Sequence, residues 1–366
     1  MRKLPTIEDV ARRASVSRQT VSNVLNSPQI VRPGTRDRVQ TAIAELGYRP
    51  DASARRLRTQ RSNTIGIGMA PATRGVSGSV LDAFLHSFTA QADTHGLRVM
   101  LFAAVTPEAE LEQIQRLRDG ADVDAFMLTE THHGDPRTGW LIDNAVPFVT
   151  FGRPWGIDDL TDPAHPWVDV DGWAGVYQAT MHLADTGATR IGYLGWPQLS
   201  GTGDDRRRGW RDAMRERFNS TDAELEALSI DSLDPTAAAQ EAALALLARS
   251  PHPDAIVCAS DSLAFGALMA AASVGHIDFP VIGFDNSPVA EALGLSSVDQ
   301  CVDEVAGAAL ELLLDDRGVL SSARPGVDTR HRLITPRLVV REHTQLVRHR
   351  PIQPAPVARH EEKETQ

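Results

Sequence analysis

At 366 residues the chain is longer than one hydrophobic core usually supports, and its 42% hydrophobic and 23% charged residues lie near the globular average. This excludes disorder throughout and fibrous or coiled-coil repeats, and predicts two or three domains. The net charge of −11 conceals a basic head: residues 1–62 hold 13 Arg or Lys against 5 Asp or Glu, the remainder 24 against 43, which suits a small phosphate-neutralising module on a body that nucleic acid would repel. No run approaches the ~20 apolar residues that cross a bilayer, and Met1-Arg2-Lys3 leads into polar residues rather than a signal core, so a cytoplasmic protein with no membrane contact is expected. Cys258 and Cys301 offer neither a disulfide framework nor metal spacing and read as two buried thiols.

The head reads as three short helices. Thr6 is a candidate N-cap with Asp9 three positions on, and Val10, Ala11 and Ala14 form an apolar stripe. After a break at Ser15-Val16, Ser17 can cap a second helix that turns Val21, Val24 and Leu25 inward and leaves Arg18, Gln19 and Asn23 outside. A third helix from about Thr35 carries Val39, Ala42, Ile43 and Leu46 and stops at Gly47. Helix, tight turn, helix and a supporting helix describe a helix-turn-helix module over residues 1–50. Residues 51–62 form a linker too poor in apolar residues to hold a helix alone, expected to order only on a partner.

From Thr64 short apolar runs alternate with helical stretches. A first series places strands at 65–70, 97–105, 125–128 and 146–151; a second places them at 167–170, 191–194, 255–259 and 281–284, with Arg206 opening a helix after the second of these. Repeated βα units imply parallel, doubly wound sheets, and two series imply two lobes over residues 63–343, with chain crossings near 163, 288 and 325. The tail 344–366, rich in Pro, Arg and Glu without heptads, is expected to be disordered.

Thr6-Ile7-Glu8-Asp9-Val10-Ala11, Val16-Ser17-Arg18-Gln19-Thr20-Val21-Ser22-Asn23-Val24-Leu25-Asn26, and Ala42-Ile43-Ala44-Glu45-Leu46-Gly47-Tyr48-Arg49-Pro50 resemble the head of the lactose/galactose-repressor (LacI/GalR) family of bacterial transcription factors. Ala54-Arg55-Arg56-Leu57 resembles its hinge. Asp171, Gly175, His182-Leu183, Gly187, Arg190-Ile191, Arg206 and Gly283-Phe284-Asp285 fall in the family's order, so the resemblance spans about residues 5–343. It implies a periplasmic-binding-protein-like body behind the all-α head. Ser15 stands where the family usually has glycine, which a turn that is not strictly left-handed would accommodate. Gly152, Gly172, Ser260 and Ala188 depart from common residues, mostly around the expected ligand cleft.

With the second helix in a major groove, Arg18 can pair with guanine O6 and N7 and Gln19 with an adenine edge, with Asn23 one turn on. Ser17, Thr20, Ser22 and Arg36 suit phosphate contacts, which position without reading sequence. Leu57, an apolar side chain among Arg55, Arg56 and Arg58, suits a minor-groove wedge with Ala54, a role the resemblance also implies; packing on the body is its alternative. By resemblance, Arg206 and Asp285 lead the effector contacts, followed by Arg153, Asp171 and Asp261, the last two equally suited to caps or ion pairs. Trp155, Trp167 and Trp196, read as loop residues, offer stacking faces for a sugar or oligosaccharide, with core or interface packing as the alternative. The adjacent acids Asp158-Asp159 and Asp204-Asp205 read as solvated loop charges, and His132-His133 as a loop feature without metal spacing. No phosphate loop, nucleophile elbow or HExxH motif occurs. The expectation is a homodimeric, cofactor-free repressor of carbohydrate genes on a palindromic double-stranded operator, for which an inducer and a co-repressor fit equally. A sugar-binding transport component or a sugar-processing enzyme with the same lobes is the alternative.

Overall fold

The structure, a computed structural model, describes residues 5–48, 61–69, 78–156, 160–315, 318–321 and 330–341. The hinge residues Ala54, Arg55, Leu57 and Arg58, the pair Asp158-Asp159 and the tail 344–366 lie outside them. The chain divides into two compact units, Met1–Ser62 and Asn63–Gln366.

In the first unit, α1 (Ile7–Ala14) starts at a capping box in which Thr6 accepts from the Asp9 amide and Asp9 accepts from the Thr6 amide. Ser17 caps α2 (Arg18–Asn26), and a single 3₁₀ turn (Pro28–Ile30) leads to α3 (Pro33–Leu46). That helix begins two residues before the expected Thr35 because Pro33 takes the first helical position, where a missing N–H costs nothing. Val10, Ala11, Ala14, Val21, Val24, Val39 and Ala42 form the core, with Leu25, Ile43 and Leu46 packed on it. The tight turn itself is left-handed: Ser15 has φ 54° and ψ 49°. The expectation of a turn that spares serine this conformation is therefore wrong; the Schellman bond from Val16 N–H to Ala11 O requires it.

The second unit holds two six-stranded sheets. Strands β1 (Thr64–Met69), β2 (Arg98–Ala103), β3 (Ala125–Leu128), β4 (Phe148–Phe151) and β5 (Trp167–Val170) are joined by helices α4 (Gly78–Thr94), α5 (Pro107–Asp119) and α6 (Pro136–Asp143). With β11 (His331–Ile334) they form a wholly parallel sheet in the order β11-β5-β4-β3-β1-β2. The second sheet combines β6 (Ile191–Gly195), β7 (Ser229–Asp231), β8 (Ala255–Cys258), β9 (Val281–Phe284), β10 (Ser296–Asp299) and β12 (Arg337–Val339) in the order β12-β10-β9-β8-β6-β7. Only β12 runs antiparallel, against β10. Its helices are α7 (Gly172–Asp185), α8 (Thr202–Phe218), α9 (Asp222–Ala227), α10 (Thr236–Leu247), α11 (Asp261–Ser273) and α12 (Pro288–Ala292). The last helix, α13 (Val302–Leu313), returns to pack on α4, β4 and β5 of the first lobe.

These pairings relocate the crossings. β5 hydrogen-bonds to β4 and β11, so the chain leaves the first lobe after Val170, not near 163. It returns after β10, about Gln300, and crosses again at Thr335-Pro336, not near 288 or 325. The strands of the lobe centres are buried along their length, including Ala125–Leu128, Ala255–Cys258 and Val281–Phe284, as expected of parallel strands covered on both faces. Cys258 is buried, whereas Cys301 is partly exposed, which corrects the reading of two buried thiols: it sits at the start of α13 with φ 51°, at a crossing rather than in a core.

Candidate functional site

On the first unit, α2 presents a polar face because its apolar residues are consumed by the three-helix core. Ser17, Arg18 and Gln19 are exposed, with Thr20, Ser22 and Asn23 half-buried beside them. Ser17 Oγ accepts from the Thr20 amide at 3.1 Å. Gln19 Nε2 donates to Asn23 Oδ1 at 2.9 Å one turn on, so the two amides form one hydrogen-bonding edge. Arg18 keeps 68% of its side chain exposed while touching Glu8 at 3.1 Å. Arg36 lies in the first turn of α3, half-buried.

In the second unit, a cavity of about 240 Å³ lies between the lobes, at the carboxyl ends of strands from both sheets. Open α/β sheets expose their loops and strand-end backbone groups at that place. Phe151, Gly152, Asp169 and Val170 line it from the first lobe, and Trp196, Arg206, Asp285 and Gln300 face them. Arg206 is 4% exposed. Its guanidinium stacks 3.6 Å from the Phe284 ring centroid and 5.2 Å from that of Trp196, while Nη1 donates to Ala259 O. Its Nε is buried without a hydrogen-bond partner among the described residues. Burial lowers the Arg206 pKa, with Asp285 opposing, and the guanidinium and that carboxyl group stand 4.0 Å apart. Asp285 follows β9 with φ 125°, donates its amide to Val298 O and accepts from Gln300 Nε2 at 2.7 Å. Burial pushes its carboxyl up to about 8, with Arg206 opposing and Asp261 adding to the rise. Trp196 is held by its indole N–H on Asp234 at 2.9 Å, leaving its ring as a wall. A guanidinium, two carboxyl groups and an indole face around one cleft can take hydroxyl acceptors, hydroxyl donors and an apolar ring face together.

A family model described as bacterial regulatory proteins, lacI family, matches residues 6–51, and one described as periplasmic binding protein-like domain matches residues 180–344. The HTH-type transcriptional regulator CelR of Thermobifida fusca is 33% identical, over 86% of this chain and 92% of its own. The chain belongs to the LacI family of bacterial regulatory proteins. The family member GalS of Salmonella typhimurium, also an HTH-type transcriptional regulator, is 31% identical over 84% of this chain and 89% of its own. The solved complex of the transcriptional regulator CelR with cellobiose is 28% identical, superposes with a TM-score of 0.66, and covers 93% of this chain and 99% of that one.

Against this LacI-family frame, Arg206, Asp285 and Trp196 line the cavity, and the other five expected effector contacts do not. Asp171 caps α7, accepting from the Ala174 amide at 2.9 Å. Asp261 lies below the cavity floor, accepting from Ser297 Oγ at 2.6 Å and the Ser287 amide at 2.7 Å. Arg153 Nε donates to Asp169 and its Nη2 to Asp205 at 2.6 Å, so its charge is already matched by two carboxylates. Trp155 lies under Arg153 and against Gly201, where a Cβ would fall 2.4 Å from the indole. Trp167 is not a loop residue: it opens β5, 7% exposed, with its indole N–H on Leu160 O and its ring on His331.

Two further readings change. Arg206 does not open its helix but lies in the second turn, since α8 starts at Thr202. Asp204 and Asp205 are not solvated loop charges. Asp204 accepts from the Leu199 and Gly201 amides, and Asp205 is buried between Arg153, Arg208 and the Trp173 amide. Asp169 and Gln300 were missed; Asp169 sits inside the apolar run Trp167–Val170, and a carboxylate interrupting a buried strand was the signal available.

Proposed function

We propose that this LacI-family regulator is a repressor of carbohydrate genes that binds a palindromic operator as a homodimer in the cytoplasm, and that a sugar held between its lobes changes its operator affinity. The meeting of Arg206, Asp285 and Trp196 around the cavity between the lobes carries the sugar reading, because a guanidinium, a carboxyl and an indole face match the hydroxyl acceptors, hydroxyl donors and C–H faces of a sugar. The exposed Arg18 and the paired amides Gln19 and Asn23 carry the DNA reading as base-edge contacts, with Ser17, Thr20, Ser22 and Arg36 on phosphates. Residues 51–62 order on the operator, with Leu57 wedged between base steps and Ala54, Arg55 and Arg58 beside it in the minor groove. The solved CelR complex with cellobiose supports a glycoside as the ligand class. The site is read as a binding site, in which Asp169 and Asp285 are engaged by Arg153 and Gln300.

Retention of the protein's own promoter fragment, measured across a salt series with and without neutral sugars, tests this. Operator affinity is expected to fall steeply with salt and to change with at least one sugar, the coupling being about 1–3 kcal/mol. Salt-insensitive or absent retention under every condition overturns the proposal. In the same assay Arg18→Ala is expected to cost about 1–3 kcal/mol and to relax preference at a single base pair.

A further inference from the structure

We infer that Glu8, on the first helix of the head, is a positioning residue for DNA recognition. Its carboxylate holds Arg18 ready for a guanine edge and holds it back from phosphates, and so sets the specificity of the regulator more than its affinity. This rests on the base-reading role proposed for Arg18 above and deepens it. Arg18 is the only ionised residue of α2, which runs Arg18-Gln19-Thr20-Val21-Ser22-Asn23-Val24-Leu25-Asn26. Its Nη1 stands 3.1 Å from Glu8 Oε1, and both side chains remain exposed, at 68% and 48%. An ion pair so open to water adds little to the stability of the fold, so its consequence lies in what approaches that face.

The three-helix core brings Glu8 to Arg18. The capping box of Thr6 and Asp9 fixes the first turn of α1, and Val10, Ala11 and Ala14 are buried in the core, leaving Glu8 outward within reach of the first residue of α2. A guanidinium presents five N–H donors in a planar fork. With one nitrogen directed at Glu8, an edge remains for the O6 and N7 acceptors of guanine, and less rotamer freedom is left for docking to remove. The neighbouring reader is held in the same way, since Gln19 Nε2 donates to Asn23 Oδ1 at 2.9 Å. On non-specific DNA the carboxylate acts in the opposite sense. There a free Arg18 would gain by pairing with a phosphate and releasing a counterion, but Glu8 already neutralises it and sets a negative charge on the reading face. Arg32, Arg36 and Arg38, around the start of α3, have no ion pair among the described residues and remain for the phosphates. Specificity is a difference of affinities, and a group that costs more in the wrong complex than in the right one raises it.

Retention by the full-length protein of its promoter fragment and of a random-sequence duplex of equal length tests this, in a salt series and with each base pair of the promoter site varied in turn. Glu8→Gln is expected to bind the random duplex about threefold more tightly at low salt and to steepen the salt dependence by about one charge per head. The promoter-to-random affinity ratio is expected to fall about tenfold, with an unchanged thermal melt. The lost preference is expected at the base pair that Arg18→Ala relaxes, and in an Arg18→Ala background Glu8→Gln is expected to remove no further preference. Three results overturn this inference and leave the base-reading role of Arg18 standing: an unchanged ratio in Glu8→Gln, a loss of preference at another base pair, or a loss that persists undiminished in the Arg18→Ala background, as when Glu8 reads a base by itself. Undiminished base preference in Arg18→Ala overturns both.

Discussion

Ser15 keeps φ 54° between α1 and α2, a conformation that costs an L-residue roughly 1–2 kcal/mol relative to the right-handed region. Ser15→Gly is therefore expected to stabilise the three-helix unit by about 1 kcal/mol, read as slower amide hydrogen exchange in α1 and α2; unchanged exchange refutes it. Asp285 makes a second residue-scale prediction. Its carboxyl, pushed up to about 8 by burial, binds a proton in the folded chain that the unfolded chain, near the ordinary aspartate value of about 3.9, has already lost. The stability it contributes is full below pH ~4 and is lost as pH rises through about 8. Asp285→Asn should flatten the decline in melting temperature over that window, and an identical pH profile in the variant refutes the assignment. His165, lowered to about 4 by burial, acts in the opposite sense and destabilises the fold as pH falls from ~6.5 towards 4.

Among the elements, strand β10 shows why residue type alone misplaces short pieces. Its polar sequence Ser296-Ser297-Val298-Asp299 has no place among the expected strands, yet Ser296 and Ser297 are fully buried. Ser297 Oγ donates to Asp261 and Ser296 Oγ accepts from the Arg341 amide, so partners distant in sequence remove the cost of burying hydroxyls. The ion-pair cluster of Arg153 with Asp169 and Asp205 joins the loop after β4 to α8 across the cleft. Removing one member of such a buried set leaves charges uncompensated, so Arg153→Met is expected to cost about 3–5 kcal/mol in denaturant unfolding; a cost below 1 kcal/mol would show the cluster to be solvated. In the linker, Leu57→Ala is expected to weaken operator retention at fixed salt without changing the thermal melt, and unaltered affinity would remove the wedge.

At the scale of the whole molecule, the chain carries a three-helix head with an exposed polar face on α2 and a body whose two sheets meet at a cavity of about 240 Å³. Three crossings join the lobes, so closure over a ligand can move all three segments together, the hinge-like arrangement through which binding energy is transmitted.

The sequence by itself determined the three-helix head, the polar face of its second helix, the parallel two-lobed body and the family, because these rest on local periodicity, capping and motif spacing. It also carried Arg206, Asp285 and Trp196 to the cleft. Only the tertiary structure decided where the chain changes lobes, that Asp171 is a cap, that Arg153 is already neutralised, and that Asp169 and Gln300 border the cleft. Those outcomes depend on which strands pair and which charges meet over separations such as the 52 residues between Arg153 and Asp205, and no local pattern encodes such meetings.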